Sequence, residues 1–166
     1  MKRFVLFLNA CLMATGIVFL LVANSIYIDD TKYQGYRWLF GYKETKEVPL
    51  LGKVTYEYFK GGSFIGILLV AVAASIVLLS LLVLFLAKKN NKVINLALTL
   101  TLVLATVCAS FVLLITNNTE IFANYGSTIQ ASLLLGEEAK VGFGAYIYFF
   151  LTLGTIFTSF CAIQAK

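Results

Sequence analysis

The chain has 166 residues, 60% of them hydrophobic and 13% charged, with a mean hydropathy of +0.90. A soluble domain carries roughly 25% charged and 45–50% apolar residues, so this composition excludes an ordinary soluble globule, a disordered tail and a collagen-like fibre. The absence of histidine and the scarcity of polar surface argue against a soluble enzyme, and the net charge of +5 raises nucleic acid as a partner only until the charges are located.

A membrane-crossing helix needs about 20 mostly apolar residues. Four segments meet that length, 4–23, 64–87, 93–116 and 141–163, and none holds Asp, Glu, Lys, Arg or His. Their apolar character runs round all sides, as in a lipid-embedded helix and unlike a surface amphipathic one. They are too long and too uniformly apolar for outer-membrane strands, which alternate. The first segment follows Lys2 and Arg3 and precedes Ala23-Asn24-Ser25, an arrangement with a loose likeness to a signal peptide. Its length exceeds the usual signal core, and a retained anchor is the expectation. Leu8-Asn9-Ala10-Cys11 resembles a lipobox only loosely, and the chain after Cys11 stays apolar.

Charge sets the expected orientation. Lys2, Arg3, Lys88, Lys89, Lys92 and Lys166 flank the spans on one side without a single acid, and all eight acidic residues lie in segments 24–63 and 117–140. The positive-inside rule then puts both termini and the 88–92 link in the cytoplasm and the other two loops outside. The basic balance is a topology signal, and no nucleic-acid partner is expected. With no repeat and no low-complexity linker, the expectation is a single domain over 1–166. It is an all-α, multi-pass cell-membrane protein, a four-transmembrane-helix bundle.

The first outer loop holds six of the nine tyrosines and the only tryptophan. Tyr36, Trp38, Phe40 and Tyr42 recur at every second residue, and Val54, Tyr56 and Tyr58 alternate with Lys53, Thr55 and Glu57. Both runs have a strand period, and Pro49 and Gly52 suit the connection between them. The pattern predicts a small extracellular β-hairpin, 36–43 paired with 53–59, with one continuous aromatic face. An isolated two-stranded hairpin is marginal in water, so that face needs a covering. Either it caps the ends of its own helices or rests at the lipid interface, where Tyr and Trp are at home, or it docks a partner. Residues Tyr36, Trp38, Phe40, Tyr42, Tyr56 and Tyr58 are the candidate partner-binding set.

In the second outer loop, 129–135 is apolar and suits a short interfacial helix, and Asn117-Asn118-Thr119 fits a glycosylation acceptor. Within the spans, Asn9 and Asn95 are the strongest polar side chains. Asn9 suits a hydrogen bond to a neighbouring helix or the lining of a small polar path. Thr99, Thr101, Thr106 and Ser110 punctuate the third span and can return their hydrogen bonds to their own helix. Ala71, Ala73, Ala74 and Ser75, then Ala97, Ala105 and Ala109, then Gly142, Gly144 and Gly154 mark faces where helices can approach closely. Cys11, Cys108 and Cys161 all fall inside spans, so neither outer loop is stapled by a disulfide. No nucleophile–base pair, zinc motif or phosphate-binding glycine loop emerges, and the expectation is a protein that is not an enzyme and has no catalytic, cofactor-binding or metal site.

The layout resembles the claudin-like four-pass plan, with a larger first outer loop of β character. Tyr36-Arg37-Trp38-Leu39-Phe40-Gly41 echoes that family's aromatic Gly-Leu-Trp element. The loop-one cysteine pair of claudins and the Gly-Leu-Trp order are both missing. The chain is also similar to small four-pass membrane proteins of Gram-positive bacteria with an aromatic–Phe-Gly motif after the first span, here Trp38-Leu39-Phe40-Gly41. That resemblance implies a bacterial cytoplasmic membrane and carries over no active site. The functional expectation is an accessory or interaction subunit in the lipid bilayer, with a membrane-protein partner or a second copy of itself. A small transporter or channel subunit forming its pathway on oligomerisation is the alternative.

Overall fold

The computed structural model describes residues 1–28, 31–49, 51–58, 64–86, 90–117 and 139–165. Along the chain these form α1 (Lys2–Val22), β1 (Asn24–Ile28), β2 (Thr31–Gln34), α2 (Gly35–Phe40), β3 (Tyr42–Val48), β4 (Gly52–Tyr58), α3 (Phe64–Leu86), α4 (Asn91–Asn117), β5 (Ala139–Val141) and α5 (Phe143–Gln164). The helices α1, α3, α4 and α5 are each long and apolar enough to cross a membrane. Their ends fall within two residues of the boundaries expected from hydropathy. Asn90 sharpens the start of α4: its side-chain oxygen accepts the Lys92 backbone N–H at 3.1 Å, as an N-cap does.

The four long helices pack as a square. α1 and α4 each lie against both α3 and α5, and they meet each other only slightly across the diagonal. Inward positions recur at three- and four-residue steps, for example Leu69, Ala73, Ile76 and Ser80 on α3, or Ala145, Tyr148, Thr152, Thr155, Ser159 and Ala162 on α5. That spacing keeps one stripe of each helix facing its neighbours. The outward positions are large and apolar, among them Phe4, Phe7, Phe85, Phe150, Phe157 and Phe160. Polarity is therefore inverted relative to a soluble bundle: the stripe that packs is smaller and more hydroxyl-rich than the stripe that faces out. Close packing of small residues is what associates helices where the surroundings are as apolar as the side chains. Of the small residues marked in the sequence, Ala73, Ala97, Ala105 and Ala109 are buried between helices, whereas Ala71 and Ser75 face out.

The loop end differs from the expectation. β1 runs straight on from α1 and is the centre of an antiparallel three-stranded sheet, β2-β1-β5. The segment ahead of α5 therefore pairs with the segment after α1, a link between the two loops that neither loop's sequence announces. Residues 36–40 are helical, not a strand, and the hairpin is shifted to β3 with β4, pairing Tyr42 with Tyr58 through to Val48 with Gly52. The physical reason lies in Leu39. In a strand it would sit opposite the aromatics and face water; on α2 it is 1% exposed and joins the bundle's apolar core. Burying that side chain outweighs the local strand period, which is only weakly binding on a short run. Gly41, at φ 77°, then turns the chain from α2 into β3.

Candidate functional site

Two places in the molecule concentrate side chains with something to do. The first is the loop end. α2 is set down on the bundle by backbone contacts: the Gly35 N–H donates to the Ala23 carbonyl at 3.0 Å, and a Cβ at Gly35 would collide with the Leu20 carbonyl oxygen. Ser25, buried beside it, donates its hydroxyl to the Leu20 carbonyl at 3.0 Å, and its own carbonyl accepts the Gly142 N–H at 2.8 Å. On this seat Leu39 points in. Tyr36 and Phe40 are 44% and 72% exposed, four residues apart and so on one helix face. Arg37 covers Tyr36, with its Nε–H donating to the phenol oxygen at 3.1 Å.

Of the expected aromatic set, Trp38 shares α2 with Tyr36 and Phe40. Tyr42, Tyr56 and Tyr58 belong to the separate β3–β4 ribbon. The residues of the expected aromatic face thus fall on two elements, the helix α2 and the β3–β4 hairpin. The side-chain placements of Trp38, Tyr42, Tyr56 and Tyr58 lie outside the described residues, as do 129–135 and the Asn118-Thr119 part of the glycosylation motif. Apart from Val48, Gly52 and Val54, the other positions of the ribbon are polar. Thr45 and Thr55 hydroxyls meet at 3.1 Å across the strands, and Lys53 approaches Glu47 at 3.8 Å.

The second place is inside the bundle. Asn9 is fully buried; its amide donates to the Ser159 hydroxyl at 2.8 Å and its carbonyl oxygen accepts the Thr158 hydroxyl at 2.6 Å. One asparagine thereby ties α1 to α5 through two neighbouring residues. Further along, the buried Tyr148 hydroxyl donates to the Leu69 carbonyl at 3.1 Å and lies 3.3 Å from the Cys108 sulfur, joining α5 to α3 and α4. Asn95 sits near the basic end, half-buried, and accepts the Lys2 ammonium at 3.0 Å. Asn9 and Asn95 are therefore not neighbours in one site: Asn9 belongs to the interior and Asn95 to the helix ends.

Sequence reasoning singled out Asn9 but missed Tyr148, Ser80, Ser159 and Thr158. Tyrosine in an apolar span and hydroxyls at scattered spacing give no signal by themselves. A usable one was the inward stripe of α5, where Tyr148, Thr152, Thr155, Ser159 and Ala162 keep helical spacing.

These features define four apolar helices compatible with a multi-pass membrane protein, carrying a small β layer at one end. No protein-family model, curated protein or solved structure matches the chain.

Proposed function

We propose that this is a non-enzymatic integral membrane protein acting as an accessory or interaction subunit. Its recognition element is the α2 face at the loop end, and its outward helix faces pack against a membrane-protein partner. The observation that carries this reading is the pair Tyr36 and Phe40, held in the open on a helix that Leu39 anchors in the bundle's apolar core. Aromatic side chains on a rigid support are favoured anchors in interfaces. A groove along α4, lined by Leu102, Thr106, Val107, Ser110 and Leu114, supports a role for the helix faces. The charge distribution supports cytoplasmic termini and an external α2.

The test is co-purification from native membranes with wild type and Phe40→Ala side by side. A stoichiometric partner lost from a variant that keeps its melting temperature supports the reading; a partner retained by Phe40→Ala overturns the role of α2. Orientation is checked with single cysteines at Lys46, Glu138 and Asn90 and a membrane-impermeant label on intact cells. The first two should label and the third should not. The buried polar residues around Asn9 favour one alternative, a small transporter or channel subunit. Solute flux by the purified protein alone in liposomes would favour it.

A further inference from the structure

The apolar interior is split in two. One cluster contains Met13, Ile76, Ala105 and Tyr148; the other contains Val5, Leu6, Leu98 and Ala162. Each helix contributes one fully buried polar residue to the interval between them. On α1, Asn9 lies between Leu6 and Met13; on α3, Ser80 lies between Ile76 and Val83; on α4, Thr101 lies between Leu98 and Ala105; on α5, Ser159 lies between Ile156 and Ala162. The Asn9–Ser159 hydrogen bond sets the register of α5 against α1, and the shared packing of Leu6, Val83, Leu98 and Ala162 on one side and of Met13, Ile76, Ala105 and Ile156 on the other sets that of α3 and α4. With a rise of about 1.5 Å per residue, that register puts all four within about one helical turn. They form a polar layer across the bundle.

Two of the four are unpartnered. The Ser80 and Thr101 hydroxyls are buried and reach no hydrogen-bond acceptor or donor among the described residues. Other hydroxyls of the same helices behave differently: Ser75, Thr99, Thr106, Ser110, Thr152 and Thr155 all donate to the carbonyl four residues earlier, at 2.8–3.0 Å. Ser80 and Thr101 forgo that local bond. Asn9 commits one amide N–H to Ser159 and has a second to give. Surroundings without water leave such groups no external partner. Among the described residues, the buried polar side chains of the bundle include no charged one, so a bound ion would stand uncompensated.

We infer that this layer is a binding site for internal water, bridging the Ser80 and Thr101 hydroxyls to the Asn9 amide. A buried water is stable where two to four polar groups converge on it, and a neutral ligand matches a neutral site. The layer then links all four helices by hydrogen bonds, directly between α1 and α5 and through water to α3 and α4.

The test uses the full chain in lipid nanodiscs, with asparagine side chains labelled by ¹⁵N and magnetisation transferred from water in solid-state NMR. The Asn9 side-chain signal, assigned by its loss in Asn9→Leu, should build up from water although it is deep in the bundle. That build-up should vanish in Ser80→Ala/Thr101→Val while the Asn9 signal itself persists, and survive in the control Ser75→Ala/Thr99→Val. Absence of water transfer to Asn9 in the wild type overturns the proposal even if the double variant fails to fold. Transfer that persists unchanged in a folded Ser80→Ala/Thr101→Val protein overturns it as well.

Discussion

At the basic end of the bundle, Lys2 reaches Asn95 and Arg3 reaches the Leu84 carbonyl, so long flexible side chains span the gaps between helix ends. At the loop end the corresponding gaps are closed by backbone. Gly35 sits against Leu20, Gly142 against Asn24, and Gly144 would bring a Cβ within 2.8 Å of the Phe19 carbonyl oxygen. The first arrangement has slack, because a lysine stem can swing and its head can find water. The second has none, because main-chain atoms cannot move without unpairing the β2-β1-β5 sheet. The difference teaches which end tolerates change and which end holds the shape of a displayed surface.

Substitutions rank accordingly. Gly35→Val drives a branched side chain into the Leu20 carbonyl and should cost about 3 kcal/mol or more. Thermal unfolding in detergent reads it, and a variant melting with the wild type would break the contrast between the two ends. Leu39→Ala removes a core side chain from the underside of α2 and should cost about 2 kcal/mol. Phe40→Ala, next to it but exposed, should stay within about 0.5 kcal/mol of wild type; equal losses for the two would mean that α2 does not sit on Leu39. Midway along the bundle, Tyr148→Phe deletes the hydroxyl shared with Leu69 and Cys108 and should cost about 1 kcal/mol. The smallest effect belongs to the basic end: Lys2→Gln should shift stability by about 0.5 kcal/mol or less, measured in the same melts. A larger loss would show that the Lys2–Asn95 contact is as tightly constrained as the glycine contacts.

The four long helices were legible because length and apolarity are local properties, and their ends were marked by charges. The hairpin was legible in kind but not in place. Thr45 and Glu47, expected in the connection, pair with Thr55 and Lys53 across β3 and β4, while the aromatics of 36–40, with a strand period, fold as a helix. Two-residue periodicity over five residues carries little free energy against the burial of one leucine. Asn9 could be singled out because an amide inside an apolar run always needs a partner. Ser80 and Thr101 could not, because most hydroxyls in such helices satisfy themselves on their own backbone, and only packing reveals which do not.

By itself, the sequence determined that four apolar segments alternate with one basic and two acid-bearing connections. Solubility and hydrogen bonding then leave those segments little choice but to be helices. Only the tertiary structure decided which stripe of each helix turns inward, because in an all-apolar segment no polarity gradient marks it; size and close packing do. Only the tertiary structure likewise joined β1 to β5 across more than a hundred residues, turned Leu39 inward and Phe40 outward, and brought one polar residue from each helix to a common depth. Those are pairings between distant parts of the chain, and their energy exists only once both parts are in place.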